Sequence, residues 1–153
     1  MRTTTWLLLV GTGLALGAQA GRLAPPQDDA ARLQGAWAID SVEVEGIPFA
    51  EEKLHEARLF VHGERYLFRF KGIELEMTYR LDAATPPKAI DLTVAAGPDK
   101  GRVFRGIYKL EDDRLIICRT TEPEEDRPTT FSTRPNSGLI MVVWKRAIVT
   151  ASK

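Results

Sequence analysis

The chain has 153 residues, 44% of them hydrophobic and 27% charged, with 21 Lys and Arg balanced by 21 Asp and Glu. That length is about one domain on the usual range of roughly 100 to 200 residues, and the composition excludes collagen-like, multi-spanning and largely disordered classes. Zero formal net charge excludes a general polyanion binder, because affinity for nucleic acid is mostly phosphate neutralisation by a basic surface.

In chain order, Arg2 precedes an uncharged, mostly apolar run over residues 6–16, and Ala18-Gln19-Ala20 follows it. A positive start, a short apolar stretch and a small-x-small ending read as a secretory signal peptide over residues 1–20 and an exported protein, periplasmic or extracellular. The run is too short for a transmembrane helix, which needs about 20 apolar residues. The competing reading keeps it as an uncleaved anchor; the mature form is expected not to span a membrane. Residues 21–31, with Pro25-Pro26 and Asp28-Asp29, read as a flexible, extended leader. Residues 32–147 are the expected domain and 148–153 a C-terminal tail. Cys118 is the one cysteine, so no intramolecular disulfide can form and core packing must supply stability. Its place after Leu115-Ile116-Ile117 suits a buried thiol acting as a small hydrophobe.

Eight apolar-alternating runs follow, separated by Gly, Pro and Asp clusters, as in an antiparallel sheet with one wet face. The first, 35–44, leads through a Gly46-Ile47-Pro48 turn to a helical stretch at 51–56, whose Leu54 is placed to cover one end of the sheet. Runs 57–62 and 65–71 meet across Gly63-Glu64, a two-residue hairpin loop. Tyr66, Phe68 and Phe70 share one face there, and Arg65, Arg69 and Lys71 the other. Run 73–82 sets Ile73, Leu75, Met77, Tyr79 and Leu81 against Glu74, Glu76, Thr78, Arg80 and Asp82, a period of two that a helix would scatter. Run 89–94 turns Ile90, Leu92 and Val94 inward. After the Gly97-Pro98-Asp99-Lys100-Gly101 turn, run 102–110 puts Phe104, Gly106, Tyr108 and Leu110 on one face. Run 114–119, a long loop over 120–138 and a nearly all-apolar run at 139–146 complete the domain, the last expected to be buried.

Eight sequential strands with short connections are best satisfied by an all-β, eight-stranded antiparallel up-and-down barrel with a short helix near one end, since closure removes unpaired edge groups. An open two-sheet sandwich fed by the same pattern is the alternative.

Gly35-Ala36-Trp37 opening the first run and Lys145-Arg146 ending the last resemble the calycin signature. In lipocalin-like barrels a Gly-x-Trp opens the first strand, and a basic residue of the closing strand packs over the indole. The resemblance implies that Arg146 stacks on Trp37 at barrel closure, a cation–π contact of roughly 0.5 to 2 kcal/mol. The chain from about Leu33 to Arg146 is similar to a family of exported lipocalin-like domains of unknown function that is expanded in planctomycete bacteria. The stretches carrying this are Leu33-Gln34-Gly35-Ala36-Trp37, Glu51-Glu52-Lys53-Leu54, Pro87-Lys88-Ala89-Ile90-Asp91-Leu92, Gly97-Pro98-Asp99-Lys100-Gly101, Gly106-Ile107-Tyr108, and Arg127-Pro128 with Phe131-Ser132. Ala36 stands where the family usually has Thr or another residue. The resemblance implies a fold and an export route, and no catalytic residue.

Chemistry is sparsely represented. His55, His62 and Cys118 have no zinc-like spacing, so neither a metal nor a cofactor is expected, and both histidines read as exposed. No Gly-x-Ser-x-Gly occurs, and Ser137 sits in a turn without a base. Glu122, Glu124, Glu125 and Asp126 read as a solvated run in preference to a calcium site. Arg58, Arg65, Arg69 and Lys71 form an outward basic stripe that the acids of run 73–82 neutralise. What remains is the barrel interior, lined by Tyr66, Phe68, Phe70, Leu75, Met77, Tyr79, Leu92, Phe104 and Tyr108. These walls suit a small hydrophobic ligand in a pocket of roughly 300 to 1,000 Å³, or else fill one another, since eight strands enclose barely more than their own side chains. The expected function is therefore non-enzymatic binding of a small apolar molecule. The alternative is a structural or protein-interaction module with a filled barrel; the sequence names no protein partner.

Overall fold

A computed structural model describes residues 28–84 and 86–148. The segment read as a signal peptide, the leader up to residue 27 and the tail beyond residue 148 lie outside the described residues. Among the described residues nine strands form: β1 (Gly35–Val44), β2 (Ile47–Pro48), β3 (Arg58–His62), β4 (Arg65–Phe70), β5 (Ile73–Asp82), β6 (Ala89–Val94), β7 (Val103–Glu111), β8 (Arg114–Thr120) and β9 (Leu139–Arg146). All but β2 fall on the eight alternating runs, because period-two burial is what a sheet with one covered face requires. From β3 to β9 each strand pairs antiparallel with the next. β1 pairs with β3 on one side and with β9 on the other, which closes an eight-stranded barrel and excludes the open sandwich. The two-residue β2 is an addition, folded back on the end of β1 where a turn was expected.

Two local departures have physical causes. The register between β1 and β9 shifts between Ile39 and Ser41, a bulge that inserts one residue and reverses the side-chain parity. Trp37 and Ile39 before it and Val42 after it are thus all buried, while the extruded Asp40 meets Arg114 at 3.4 Å and Lys145 at 3.5 Å. Lys71, read as an outward strand residue, instead begins the β4–β5 turn with φ 47°, followed by Gly72 at φ 80°. Both central residues of this tight hairpin need positive φ, which glycine supplies without steric cost. Outside, Arg65 pairs with Glu76 at 2.8 Å and Arg69 with Glu74 at 2.5 Å, so the acids of β5 do neutralise the stripe on β4.

One end of the barrel is plugged. The leader is helical from Asp29, correcting the extended reading: α1 (Asp29–Leu33) is capped by the Asp28 carboxylate, which accepts from the Ala30 N–H at 3.0 Å. Five residues cannot hold a helix alone. Here Leu33 is driven fully into the core, and the Trp37 indole N–H donates to its carbonyl at 2.9 Å. Asp29 is buried too, accepting from Lys88 Nζ at 2.6 Å and Tyr108 Oη at 2.8 Å, with Arg32 at 3.4 Å. Arg146 lies 3.8 Å from the centroid of the Trp37 ring and donates to the carbonyls of Gln34 and Arg32 at 2.5 and 2.6 Å. The helical stretch expected at 51–56 is only a 3-10 turn, Glu51–Lys53, but Leu54 after it does pack on the core.

The loop after β8 is a second cover, laid on the outer wall. Arg127 donates to the carbonyls of Gly106 and Ile90 at 2.7 and 3.2 Å and to Asp91 at 2.7 Å. Further on, Phe131 lies under Lys109, and the Thr133 hydroxyl bonds Glu43. The outward-facing Ile107 and Cys118 are consequently 0% exposed. The structure corrects the expectation for β9: only Val142 and Trp144 are buried, while of its outward residues Leu139, Met141 and Val143 are partly covered and Lys145 is exposed.

Candidate functional site

The barrel is solid in one half and hollow in the other. Around the α1 plug, Leu33, Trp37, Ile90, Leu92, Tyr108 and Leu115 are all 2% exposed or less and fill the interior. At the opposite end the strands surround a cavity of about 250 Å³. That end carries the 45–57 segment and the β4–β5 turn, and Phe49, Leu54 and Ala57 contribute to the cavity wall from the former. The volume is below the range expected from sequence, because the closed half is packed.

Of the residues nominated from sequence, Tyr66, Phe68, Phe70, Leu75 and Met77 line this cavity together. β4 delivers the first three at alternate positions, and β5 the other two. Tyr79, Leu92 and Tyr108 do not. Leu92 belongs to the solid core, the Tyr108 hydroxyl is committed to Asp29, and the Tyr79 hydroxyl donates to the Gly63 carbonyl at 2.9 Å while accepting from Gln34 at 2.9 Å. All three point inward as alternation requires, but at a level of the barrel that is already filled. Phe104 borders a separate cleft with Pro98 and Pro123. Trp37 and Arg146 close the barrel at the plugged end, away from the cavity.

Completing the wall are Ile39, Val42 and Val44 of β1, Ile117 and Arg119 of β8, and Ile140, Val142 and Trp144 of β9. Phe68 meets Trp144 edge-on at 6.1 Å and stacks with Phe70 at 6.4 Å, geometries that aromatic quadrupoles favour. The Trp144 indole N–H is buried without an acceptor among the described residues.

Arg119 is the residue that sequence reading missed. It stands opposite Gly106 in the β7–β8 pair, and a Cβ built at Gly106 would lie 2.9 Å from Arg119 Cβ and from the Cys118 carbonyl oxygen. The absence of a side chain at 106 is what admits a long cation on an inward face. Arg119 donates to the Thr120 carbonyl at 2.7 Å, and its guanidinium lies 5.0 Å from the Phe104 centroid. Burial pulls it below the ordinary arginine range, and burial likewise pushes the Tyr66 phenol well above its usual value. A signal was present: Leu115 and Ile117 fix the inward parity of β8, and residue 119 shares it.

Elsewhere, a wider groove of about 630 Å³ on the outer wall runs past Arg80, Asp91 and Arg127, but there Arg127 is already bound to Asp91 and to the backbone. Among the described residues no three His, Cys, Asp or Glu side chains gather as metal ligands, and no helix is long and apolar enough to cross a membrane. His55 and His62 are exposed. Compared with family models, curated proteins and solved structures, the chain matches none.

Proposed function

We propose that this protein is an exported, lipocalin-like binding barrel that takes one small apolar molecule into the open half of its interior and performs no chemistry on it. The observation that carries the reading is the 250 Å³ cavity walled by aliphatic and aromatic side chains of β1, β4, β5, β8 and β9. Export rests on the N-terminal sequence pattern, and the lipocalin likeness on the Gly-x-Trp and closing-Arg signature. Affinity would come from transfer of ligand surface out of water. Burying roughly 200 Å² of apolar ligand surface at about 25 cal/mol per Å² gives about 5 kcal/mol before association costs, so the complex is a weak one. The preformed wall limits the ordering cost.

The test is saturable uptake of N-phenyl-1-naphthylamine, an uncharged dye that fluoresces in apolar surroundings. One site per chain is expected for the wild type, lost in Val142→Trp, which puts a bulky indole into the cavity; circular dichroism checks that the variant keeps its sheet. A wild type without saturable uptake and without a retained small molecule in native mass spectrometry overturns the reading. The filled, structural or interaction module would then stand, for which the solid half around α1 is the supporting observation.

A further inference from the structure

From the placement of Arg119 we infer that the preferred occupant of the cavity is an acid: a small amphiphile with an apolar body and a single anionic head, such as a carboxylate, held by the Arg119 guanidinium. This rests on the cavity reading above and names the class of ligand it takes. A cation on an apolar wall is costly to strip of its remaining water unless an anion takes that water's place. The other arginine that burial pulls below the ordinary range, Arg146, is satisfied where it stands, by two backbone carbonyls and the face of Trp37. Arg119, only partly buried, has one carbonyl and the face of Phe104, forms no ion pair with any described carboxylate, and keeps its other N–H groups within reach of water. A guanidinium carries five N–H donors in a planar fork that matches a carboxylate, so most of its donor capacity is uncommitted.

The surroundings select the sign of the partner. No Asp or Glu lines the cavity. Tyr66, on the same wall, is buried and its hydroxyl makes no hydrogen bond among the described residues. With its phenol held protonated by burial, it is a second donor. The remaining lining side chains are apolar apart from the Trp144 indole. A neutral oil would displace water from the guanidinium without a charge to replace it; a cationic amphiphile would be repelled. An acid head answers the charge while its apolar body covers the wall of Phe68, Leu75, Ile117 and Val142.

The experiment compares octanoate with 1-octanol, which share one chain and differ in the head, by displacement of N-phenyl-1-naphthylamine from the full chain at neutral pH. The wild type is expected to bind octanoate at least tenfold more tightly than octanol. Arg119→Gln should abolish that preference while leaving octanol affinity within about twofold, and Arg119→Lys should restore part of it. A purely structural arginine would lower both affinities together. Equal affinity for the two probes in the wild type, or parallel loss of both in Arg119→Gln, overturns the inference. The wild-type comparison decides even if the variants fail to fold. If the dye binds and octanoate has no advantage, only the choice of head group is refuted; if neither dye nor probe binds, the cavity reading falls with it.

Discussion

Replacing Asp29 tests whether α1 is a structural plug or an ornament. Its carboxylate is 6% exposed and accepts from Lys88 and Tyr108. In Asp29→Ala the Tyr108 hydroxyl, on a residue 2% exposed, loses its acceptor. A buried group left unsatisfied costs about 1 to 3 kcal/mol, and loss of a charge-assisted bond adds about 1. Lys88 is 42% exposed at its side chain and rehydrates, so it adds little. The sum is about 2 to 4 kcal/mol, or roughly 8 to 15 °C in Tm for a domain of this size. Asp29→Asn keeps an acceptor and should cost about half as much. The pH dependence has a definite sign. Burial alone would raise the Asp29 pKa, but hydrogen bonds from Lys88 and Tyr108 and the charges of Lys88 and Arg32 outweigh it, so the folded value lies below the ordinary 3.8. The stabilisation is therefore complete above that ordinary value and is lost as pH falls through the folded one. Urea unfolding followed by tryptophan fluorescence, repeated from pH 7 down to about pH 3, reads both effects. An Asp29→Ala cost below about 0.5 kcal/mol, or an acid branch identical in wild type and Asp29→Asn, would refute the argument.

Two further expectations follow from packing. Gly106→Ala should destabilise by about 1 to 3 kcal/mol, because the added methyl has neither a free direction nor a flexible neighbour to push aside; a thermal melt within 1 °C of wild type would contradict it. Cys118, fully buried and with its thiol pushed up by burial, should react with Ellman's reagent only on unfolding. Rapid labelling of the native protein would show that the outer loop does not seal the wall.

Alternation of apolar and charged residues was enough to read the eight barrel strands, because on a half-covered sheet that alternation is the burial pattern itself. Depth along the axis was not legible. Period two says that Tyr79, Leu92 and Tyr108 face inward, but not that α1 has already filled their level, since α1 sits in a stretch whose prolines and acids look like linker. The outer loop was equally silent: Arg127 holds it through backbone carbonyls, which no side-chain pattern records. The bulge at Asp40 escaped for a related reason, being set by pairing with β9. Arg119 was legible by parity, but an inward cation runs against the alternation of apolar and charged residues that marks a half-covered sheet.

The pairing of β1 with β9 sets how the chain must assemble. Arg146 reaches the carbonyl of Gln34, 112 residues away, so the latch is among the most remote contacts in the sequence. Closing so long a loop costs entropy that is recovered only once the hairpins between are in place. The latch is therefore expected among the last contacts made in folding, and β1 and β9 should lose amide protection together when it opens.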